Sequence, residues 1–339
     1  MKQYLMKLTP LEAYFFGNEK SFKYPKQENG GQMSNQYYIK SESVPAQTTL
    51  LGMLRYLLLP VKKSNFSDYT DDDKKLNAEA VGASSFDFEK KDSSFGKIKG
   101  ISPVFLIKDD DILMRTPFDH KKGEKKYTPY TEYSRIETPK GEKLFCREYN
   151  AKKGITDSYM NISTGEIIES LEIFSSEVRV GINRASQEKG FFKKEYKKLS
   201  ESFSFGAYVT LDTDLPPDDT TVFLGQGKSA FKVSFKEEAD KTEEMIRKLI
   251  REDVIYVASD SFVEEKPYND ALFAITDTKS YRAYTTNYGS IKKGARLYRL
   301  ITAGSIFIPK DEKALAEKFK AENAEYIGFN KIILGGLYI

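Results

Sequence analysis

The sequence has very few of the residues, cysteine and histidine, on which many catalytic and metal sites depend. Among 339 residues it contains one cysteine, Cys146, one histidine, His120, and no tryptophan. A single cysteine can form neither an internal disulfide nor a cysteine-based zinc site, which fits a reducing compartment. A serine or cysteine nucleophile would have only His120 as its histidine base. We therefore expect no cofactor, no bound metal and no nucleophilic catalysis.

Membrane-spanning and strongly charged segments are also missing. The longest apolar stretch, Leu50 to Val61, is interrupted by Gly52 and Pro60 and is too short to cross a bilayer. Residues 1–10 lack the pattern of a secretory signal, so we expect a cytoplasmic protein without a membrane role. The formal net charge is only +3, from 53 basic and 50 acidic residues. Any nucleic-acid site must therefore be a local basic patch.

The N-terminal region predicts an extended segment, a polar loop and one strong helix. The extended segment covers residues 3–16 and the loop residues 17–35. Leucines then recur at helical spacing from Leu50 to Leu58. Ser43 is placed to cap the N-terminus of this helix, Pro45 suits its first turn, and Pro60 ends it.

Two long polar stretches, 62–99 and 120–143, are poor in aliphatic residues and typical of surface loops. Between them, residues 100–113 predict a strand pair that turns at 108–111. The polar stretches therefore look like inserts in a simpler fold.

The second half of the chain predicts mostly strands. Residues 178–183 and 203–211 alternate between apolar and polar or small side chains, and the basic segment 184–198 is expected to project between them as a hairpin. The other predicted elements are a hairpin at 221–235, a charged helix at 237–252, strands at 254–258, 271–275 and 297–308, a helix at 311–322 and a last segment at 326–339. This pattern favours an α+β fold, with ferredoxin-like units as the natural candidate.

Four segments, taken in chain order, resemble the motifs of a known family. They are Val44-Pro45-Ala46-Gln47-Thr48-Thr49-Leu50-Leu51-Gly52-Met53-Leu54-Arg55, Glu177-Val178-Arg179-Val180-Gly181-Ile182, Phe223-Leu224-Gly225-Gln226-Gly227 and Ala303-Gly304-Ser305-Ile306-Phe307. Each is similar to a motif of the RAMP-superfamily third subunit of Cmr-type (type III-B) CRISPR effector complexes. The third departs from its motif because Gln226 separates the two glycines. Gly328, Gly335 and Gly336 resemble the glycine-rich loop of RAMP proteins.

The resemblance implies two modified ferredoxin-like domains, which we place at 1–236 and 237–339, with inserts at about 61–177 and a hairpin thumb at about 184–202. It implies a non-catalytic subunit that binds the 5′ handle of the guide RNA (crRNA). It also implies docking on the large palm-domain subunit and on a neighbouring backbone RAMP subunit, with target RNA met only indirectly. The residues alone support a two-domain α+β protein with local basic patches.

Three groups of residues are candidates to bind RNA. A helix N-terminus offers unpaired N–H groups, so Gln47, Thr48 and Thr49 could hold a phosphate or a base, and Arg55 could contact a phosphate or stack. The predicted thumb combines basic side chains with aromatic rings, as in single-strand RNA binding. Its candidates are Arg184, Lys189, Lys193, Lys194 and Lys197, and two more, Arg179 and Asn183, lie on the polar side of the strand that precedes it. The last group is Lys292, Lys293 and Arg296, for phosphate or an acidic partner.

Ordinary structural roles stay open for all three groups, because a lysine-rich segment is often a solvated face. Two other functions stay open as well. A RAMP-type guide-processing endoribonuclease often uses a histidine, but His120 is expected to be a solvated loop residue. A protein-only scaffold would use the same basic hairpin against an acidic subunit. The aspartate runs 71–73 and 109–111 lack metal-ligand spacing and predict solvated turns.

Overall fold

The structure is a computed structural model that describes residues 1–17, 22–27, 33–83, 85–90, 94–139, 141–183, 190–213, 215, 220–225, 227–282, 284–287, 290–293 and 296–335. At 22–27, 33–37, 182–183, 190–191, 284–287 and 290–293 it describes the course of the backbone.

The described residues form a chain rich in strands. The strands are β1 (Lys2–Pro10), β2 (Phe16–Gly17), β3 (Phe22–Gln27), β4 (Met33–Glu42), β5 (Ile98–Ile101), β6 (Phe105–Lys108), β7 (Asp111–Arg115), β8 (Tyr133–Thr138), β9 (Gly141–Cys146), β10 (Ser158–Asn161), β11 (Ile167–Glu169), β12 (Phe174–Asn183), β13 (Gly190–Leu199), β14 (Phe203–Leu211), β15 (Thr220–Leu224), β16 (Ser229–Glu237), β17 (Ile255–Val257), β18 (Ala271–Ile275), β19 (Thr278–Tyr281), β20 (Tyr284–Asn287), β21 (Ser290–Lys293), β22 (Tyr298–Ile301), β23 (Ile306–Pro309) and β24 (Ile332–Leu334). The helices are α1 (Gln47–Leu58), α2 (Asp71–Val81), α3 (Ser170–Ile173), α4 (Thr242–Arg247), α5 (Glu312–Phe319) and α6 (Glu322–Tyr326). Short 3₁₀ helices lie at Phe66–Asp68, Ala151–Lys153 and Pro267–Asp270.

A central sheet organises the N-terminal two thirds of the chain. Its strands run in the order β11, β10, β7, β6, β14, β1, β16, β15, and β5 pairs with β14 beyond the end of β6. Alternation in β1 puts Tyr4, Met6 and Leu8 on the face that α1 covers. Leu50 and Leu54 of α1 are almost fully buried there, each contributing roughly 1.5–3 kcal/mol of burial free energy.

The opposite face of this sheet packs on the C-terminal part of the chain. There a four-stranded sheet runs in the order β18, β23, β17, β24. Phe105 and Tyr208 of the central sheet share one apolar cluster with Ile246, Tyr256 and Ile306. Strand β14 is therefore buried on both faces, although its strict alternation predicts one solvated side.

A separate sheet is built from β12, β13 and β4, with β2 and β3 added on β4. Strands β12 and β13 pair antiparallel from Phe174↔Leu199 to Asn183↔Gly190. Strand β13 pairs in parallel with β4, from Phe192↔Tyr37 to Glu195↔Lys40. The segment 184–198 was predicted to form a hairpin of its own; instead Gly190 begins β13, which pairs with β12, and residues 184–189 lie outside the described residues. The predicted polar loop at 17–35 is corrected too, because β3 and part of β4 lie within it.

Helix α1 is confirmed, but its predicted cap is wrong. Ala46 occupies the N-cap position with extended dihedral angles, and no side chain caps the helix. The carbonyl of Ser43 instead accepts a hydrogen bond from the Tyr14 hydroxyl at 2.7 Å. The helix ends at Leu58, before Pro60, as predicted.

The predicted excursion at 62–99 contains helix α2 and core residues. Thr70 and Asp73 form a reciprocal capping box, so the aspartate run 71–73 opens a helix and is not a turn. Phe86 and Phe95 are buried in the main core. The run 109–111 does form the predicted turn, between β6 and β7.

The stretch 120–143 and the first C-terminal helix also differ from prediction. Residues 133–138 and 141–146 pair as β8 and β9, and His120 is 2% exposed, not solvated. The charged helix predicted at 237–252 is shorter than expected. Glu237 still belongs to β16, and α4 covers only Thr242–Arg247. In the C-terminal part, the predicted strand at 297–308 is interrupted by a turn at Gly304, where φ is +94°.

Candidate nucleic-acid interface

Strands β12 and β13, which we call the basic ribbon, carry the largest group of RNA candidates. Opposite residues of an antiparallel pair share a face, so Arg179 lies on the same face as Lys194, its direct neighbour across the ribbon. Lys193 and Lys197 lie on the other face. The register therefore divides the predicted set between two surfaces with different surroundings.

On the first face, the cations are held by aromatic rings. The Arg179 guanidinium carbon lies 4.3 Å from the centroid of the Tyr196 ring. The Lys194 ammonium lies 5.2 Å from the ring of Phe15 and 5.3 Å from that of Phe192. Such cation–π contacts keep basic groups in place while their charge stays available to a phosphate.

An acidic residue, Glu177, neutralises part of the positive charge on this face. Glu177 accepts a hydrogen bond from Arg179 Nε at 2.8 Å and pairs with Lys198 Nζ at 2.8 Å. Hydrogen bonds from these two cations lower the pKa of Glu177 to about 2. Glu177 is therefore ionised at neutral pH, and a phosphate must compete with it for Arg179 and Lys198.

On the second face, Glu195 connects three strands. It accepts hydrogen bonds from Tyr38 of β4, from Ser176 Oγ of β12 at 3.0 Å and from Lys197 Nζ at 3.2 Å. Lys197 thus has a structural contact, whereas the neighbouring Lys193 is exposed. Val178 and Val180 on this face are also exposed, at 54% and 64%.

The start of α1 is built into the core and not presented as an open anion site. Gln47 is 5% exposed, and its Nε2 donates to the Ser102 carbonyl at 2.9 Å. Thr48 Oγ1 and Tyr281 Oη are hydrogen-bonded at 2.9 Å, and Thr49 is half-buried. The Gln47 side chain is therefore buried, and its place among the RNA candidates stays a prediction.

Farther along α1, Arg55 and Gly52 differ in their environment. Arg55 is half-buried, and its guanidinium carbon lies 5.6 Å from the Phe95 ring centroid. Burial lowers the pKa of Arg55. Gly52 is exposed, and an added Cβ would meet no atom within 4 Å. A helical glycine costs roughly 1 kcal/mol relative to alanine, and no contact of this chain explains it.

For most of the remaining RNA candidates the structure describes only the backbone or nothing. Arg184 and Lys189 lie outside the described residues, and Asn183 ends the described part of β12. The backbone register sets Lys292 opposite Thr285 and Lys293 opposite Tyr284. Arg296 pairs with Glu89 and lies 5.2 Å from the Tyr298 ring centroid, so it is tied to the body of the protein.

The family-like glycines have structural explanations in this chain. Gly304 has a positive φ, and an added Cβ would lie 2.5 Å from the Phe118 ring. Gly328, with φ at +90°, would bring an added Cβ to 2.5 Å from the Ser102 carbonyl. Gly336 lies outside the described residues. The described glycines therefore allow close packing between the chain's own segments.

His120 is placed as a structural residue. Its Nδ1 accepts a hydrogen bond from the Thr128 amide at 3.2 Å, and its ring lies near that of Tyr127. Burial lowers the pKa of His120, which favours the neutral ring. Within the described ranges, no group of three or more histidine, cysteine, aspartate or glutamate side chains could hold a metal ion. No helix in that part of the chain is long and apolar enough to cross a membrane.

Sequence reasoning missed the residues that support the ribbon from elsewhere in the chain. Phe15 packs against Tyr196, with ring centroids 5.2 Å apart, and Tyr38 bonds to Glu195. Both precede their partners by more than 150 residues. Parallel pairing of β4 with β13 places Tyr38, and an antiparallel bridge between Tyr14 and Lys197 places Phe15; no local pattern signals either contact.

The fold is similar to that of chains in solved type III-B Cmr complexes. A chain of the cryo-EM structure of the type III-B Cmr-β complex bound to cognate target RNA is similar over 98% of this chain and 96% of that chain, with a TM-score of 0.52 and 14% identity. A chain of the same kind of complex bound to target RNA and AMPPnP covers the same shares, with a TM-score of 0.50 and 14% identity. No match was found among curated proteins.

A family model identifies the protein family to which the chain belongs. The model of the family described as CRISPR-associated protein (Cas_Cmr3) matches residues 6–337. The chain therefore belongs to this family, and the resemblance seen in its sequence motifs is confirmed. The predicted mixture of many strands and few helices is confirmed as well.

Proposed function

We propose that the chain is a non-catalytic subunit of a type III-B CRISPR effector that binds the 5′ handle of the guide RNA and docks the large palm-domain subunit. Membership of the Cas_Cmr3 family supports its place in such an effector. We also propose a neighbouring backbone RAMP subunit as partner, indirect contact with target RNA and a cytoplasmic location. The two ferredoxin-like domains, 1–236 and 237–339, remain part of this proposal.

The basic ribbon carries the RNA-binding part of the proposal. It presents Arg179 and Lys194 beside Tyr196 and Phe192, and it leaves Lys193 and Lys198 exposed. Basic groups that alternate with aromatic rings fit a phosphate backbone with splayed bases. Thr48, Thr49 and Arg55 are secondary candidates, because partial burial limits what they can reach.

Two alternatives differ from this function in measurable ways. A guide-processing endoribonuclease would cut the repeat RNA, but buried His120 has no position from which to act as an exposed acid or base. A protein-only scaffold would use the ribbon against an acidic subunit and would leave RNA untouched.

RNA binding and cleavage measured together separate these functions. The purified full chain is mixed with a 5′-labelled guide that carries its handle, with the uncut repeat, and with a guide whose handle is scrambled. We expect handle-dependent binding without cleavage. The double variant Arg179→Gln/Lys194→Gln should weaken binding about tenfold and reduce the slope of log K against log salt by about 1.4, the value for two phosphate contacts on a single strand.

A matched double variant controls for net charge. Lys310→Gln/Lys313→Gln removes the same charge from exposed positions on and before α5 and should bind like the wild type. Equal loss in both variants would show that the ribbon has no special role. Metal-independent cutting of the repeat would assign the chain to the processing class, and absence of binding also in the presence of its partner subunits would favour the scaffold.

A further inference from the structure

The sheet that contains the basic ribbon ends in a long edge strand. Among the described residues, β12 pairs with β13 alone, whereas the far side of the sheet is extended by β4, β2 and β3. Strand β12 is ten residues long, and the outer strands of the central sheet, β11 and β15, have three and five. Short edge strands are one means by which proteins prevent pairing with other chains, and β12 lacks it.

The register shows which backbone groups point outward from this edge. The amides of Tyr14 and Lys197 each donate to the carbonyl of the other, at 2.8 and 3.0 Å. Lys197 therefore directs its N–H and C=O away from β12, and Ser176, which lies opposite it, directs its own away from β13. Because the pattern repeats every two residues, Val178 and Val180 also direct their N–H and C=O groups outward.

A hydrogen bond at the base of the ribbon gives the same alternation. The Ser200 amide donates to the Ile173 carbonyl at 2.9 Å, so Ile173 directs its carbonyl towards the second arm of the ribbon. The register continues this pair into β12, where odd-numbered residues face β13. The even-numbered residues therefore form the outer edge.

The side chains on this edge are suited to meet another strand. Val178 is 54% and Val180 is 64% exposed, and Ser176 between them and the base of the ribbon is exposed as well. Residues 174–183 contain neither lysine nor proline, the residues that commonly protect edge strands. Two β-branched apolar side chains thus stand in solvent beside outward N–H and C=O groups.

This combination favours a polypeptide strand over RNA. Outward donors and acceptors that repeat every 7 Å or so (~7 Å) match the backbone of another strand. Phosphate oxygens accept hydrogen bonds and donate none, so they leave the outward carbonyls unsatisfied. The charged side chains of β12, Glu177 and Arg179, pair with each other at 2.8 Å, and the lysines of the ribbon lie on β13, one strand farther in.

A strand from a different subunit fits the edge better than a second copy of the chain. Pairing of two β12 edges would join two basic ribbons into a single sheet. The lysines of one β13 would then add to those of the other, and repulsion between like charges opposes such a pair.

We infer that the outer edge of β12, at Ser176, Val178 and Val180, docks an extended strand of a neighbouring protein subunit. The docked strand pairs its backbone with these residues and places apolar side chains beside the two valines. The inference rests on the proposed place of the chain in a multi-subunit effector and assigns a surface to one of its protein contacts. Protein then meets the edge of the ribbon, and RNA meets the cations on its faces.

Hydrogen exchange of single backbone amides tests the inference directly. In the isolated full chain, the amides of Glu177 and Arg179, which face β13, should exchange slowly, and those of Val178 and Val180 should exchange fast. In the assembled effector, with its guide and other subunits, exchange at Val178 and Val180 should slow by about tenfold or more. Handle RNA added to the isolated chain should leave both valine amides unchanged.

A proline variant removes one outward donor. Val178→Pro deletes an N–H group that faces away from β13, and proline is tolerated at such positions of edge strands. The variant should bind handle RNA within about twofold of the wild type. Its recovery in the effector, measured through an affinity tag on another subunit, should fall about tenfold.

Phe223→Pro is the matched control on another edge strand. Phe223 is 66% exposed on β15 and lies opposite Ala230. The Ala230 carbonyl accepts from the Leu11 amide at 2.9 Å and its amide donates to Glu12 at 3.0 Å, so the N–H group of Phe223 also points outward. This variant should enter the effector like the wild type. An equal loss in both variants would overturn the inference.

The outcomes separate this inference from the proposed function. If the wild-type chain does not enter an effector, both fail. If it enters one and the amides of Val178 and Val180 exchange as in the isolated chain, only the docking inference fails. Slow exchange caused by handle RNA alone would assign the edge to RNA. Slow exchange that increases with the concentration of the isolated chain would assign it to a second copy, and either result overturns the inference.

Discussion

The start of helix α1 and the basic ribbon both carry candidate RNA-binding side chains, but the fold places them in different surroundings. Gln47 and Thr48 are joined to Ser102 and Tyr281, segments far along the chain, and help hold the core together. Arg179 and Lys194 of the ribbon contact aromatic rings at the surface. A residue type suited to RNA therefore indicates binding only where the chain's own packing has left it accessible.

The largest expected effect tests how tightly the α1 end is packed. Gly328→Ala should destabilise the protein by about 3–5 kcal/mol, because its φ is +90° and the added Cβ would overlap the Gln47 amide and approach the Ser102 carbonyl. Urea unfolding gives the free energy of unfolding. Gly123→Ala is the control, since φ there is +95° but no atom lies within 4 Å of an added Cβ. An equal loss in both variants would show that backbone strain alone, and not packing at Gln47, is responsible.

A buried acid in the body of the protein should make stability depend on pH. Burial raises the pKa of Asp119 to about 6, and the Tyr127 hydroxyl donates to it at 2.9 Å. The native state then holds a proton that the unfolded chain loses near pH 4, so the free energy of unfolding should fall by on the order of 2 kcal/mol between about pH 4 and 6. Asp119→Asn should remove this fall in thermal or urea unfolding at a series of pH values. An unchanged pH profile in the variant would contradict the assignment.

Truncation of Gln47 separates stability from binding. Gln47→Ala should cost about 1–2 kcal/mol, because the Ser102 carbonyl loses its donor in a buried site. Handle affinity, measured on folded protein well below its unfolding midpoint, should stay within about twofold of the wild type. A loss of affinity like that of Arg179→Gln/Lys194→Gln would return the α1 end to the RNA interface.

The smallest effect concerns the acid on the ribbon. Glu177→Gln removes the ionised partner of Arg179 and Lys198, so handle affinity should rise about twofold to threefold at low salt and the gain should disappear at high salt. Because its pKa is about 2, Glu177 stabilises the ribbon at neutral pH, and this contribution is lost only as the pH falls from about 4.5 towards 2. Glu201→Gln, in the turn after the ribbon, is the charge-matched control. Weaker binding by Glu177→Gln would mean that the acid positions Arg179 and does not compete with RNA.

Local pattern was sufficient for the elements whose side chains repeat with a regular period. The alternation in 203–211 predicts β14 with its bounds, and the leucine spacing predicts α1. The hairpin at 221–235 corresponds to β15 and β16. In each case the period of the apolar side chains matches the element, and periodicity is a signal that a sequence displays directly.

The rest depended on partners that the sequence does not display. Helix α2 has an almost wholly polar surface, so its signal was the capping box at Thr70 and Asp73 and not periodicity. The burial of His120 and the packing of Phe15 on the ribbon come from tertiary contacts between distant segments. Within the candidate site, the motifs indicated the ribbon and α1, whereas the division of the lysines between two faces required the strand register.

The parallel pairing of β4 with β13 sets an order of events during synthesis. Lys40 leaves the ribosome more than 150 residues before its partner Glu195. At elongation rates of about 5–20 residues per second, the nascent β4 edge waits roughly 8–30 seconds for the strand that completes it. During that interval β4 has only β2 and β3 as neighbours and exposes an unpaired edge open to wrong pairing. Assembly of the ribbon therefore waits until residue 199 has emerged.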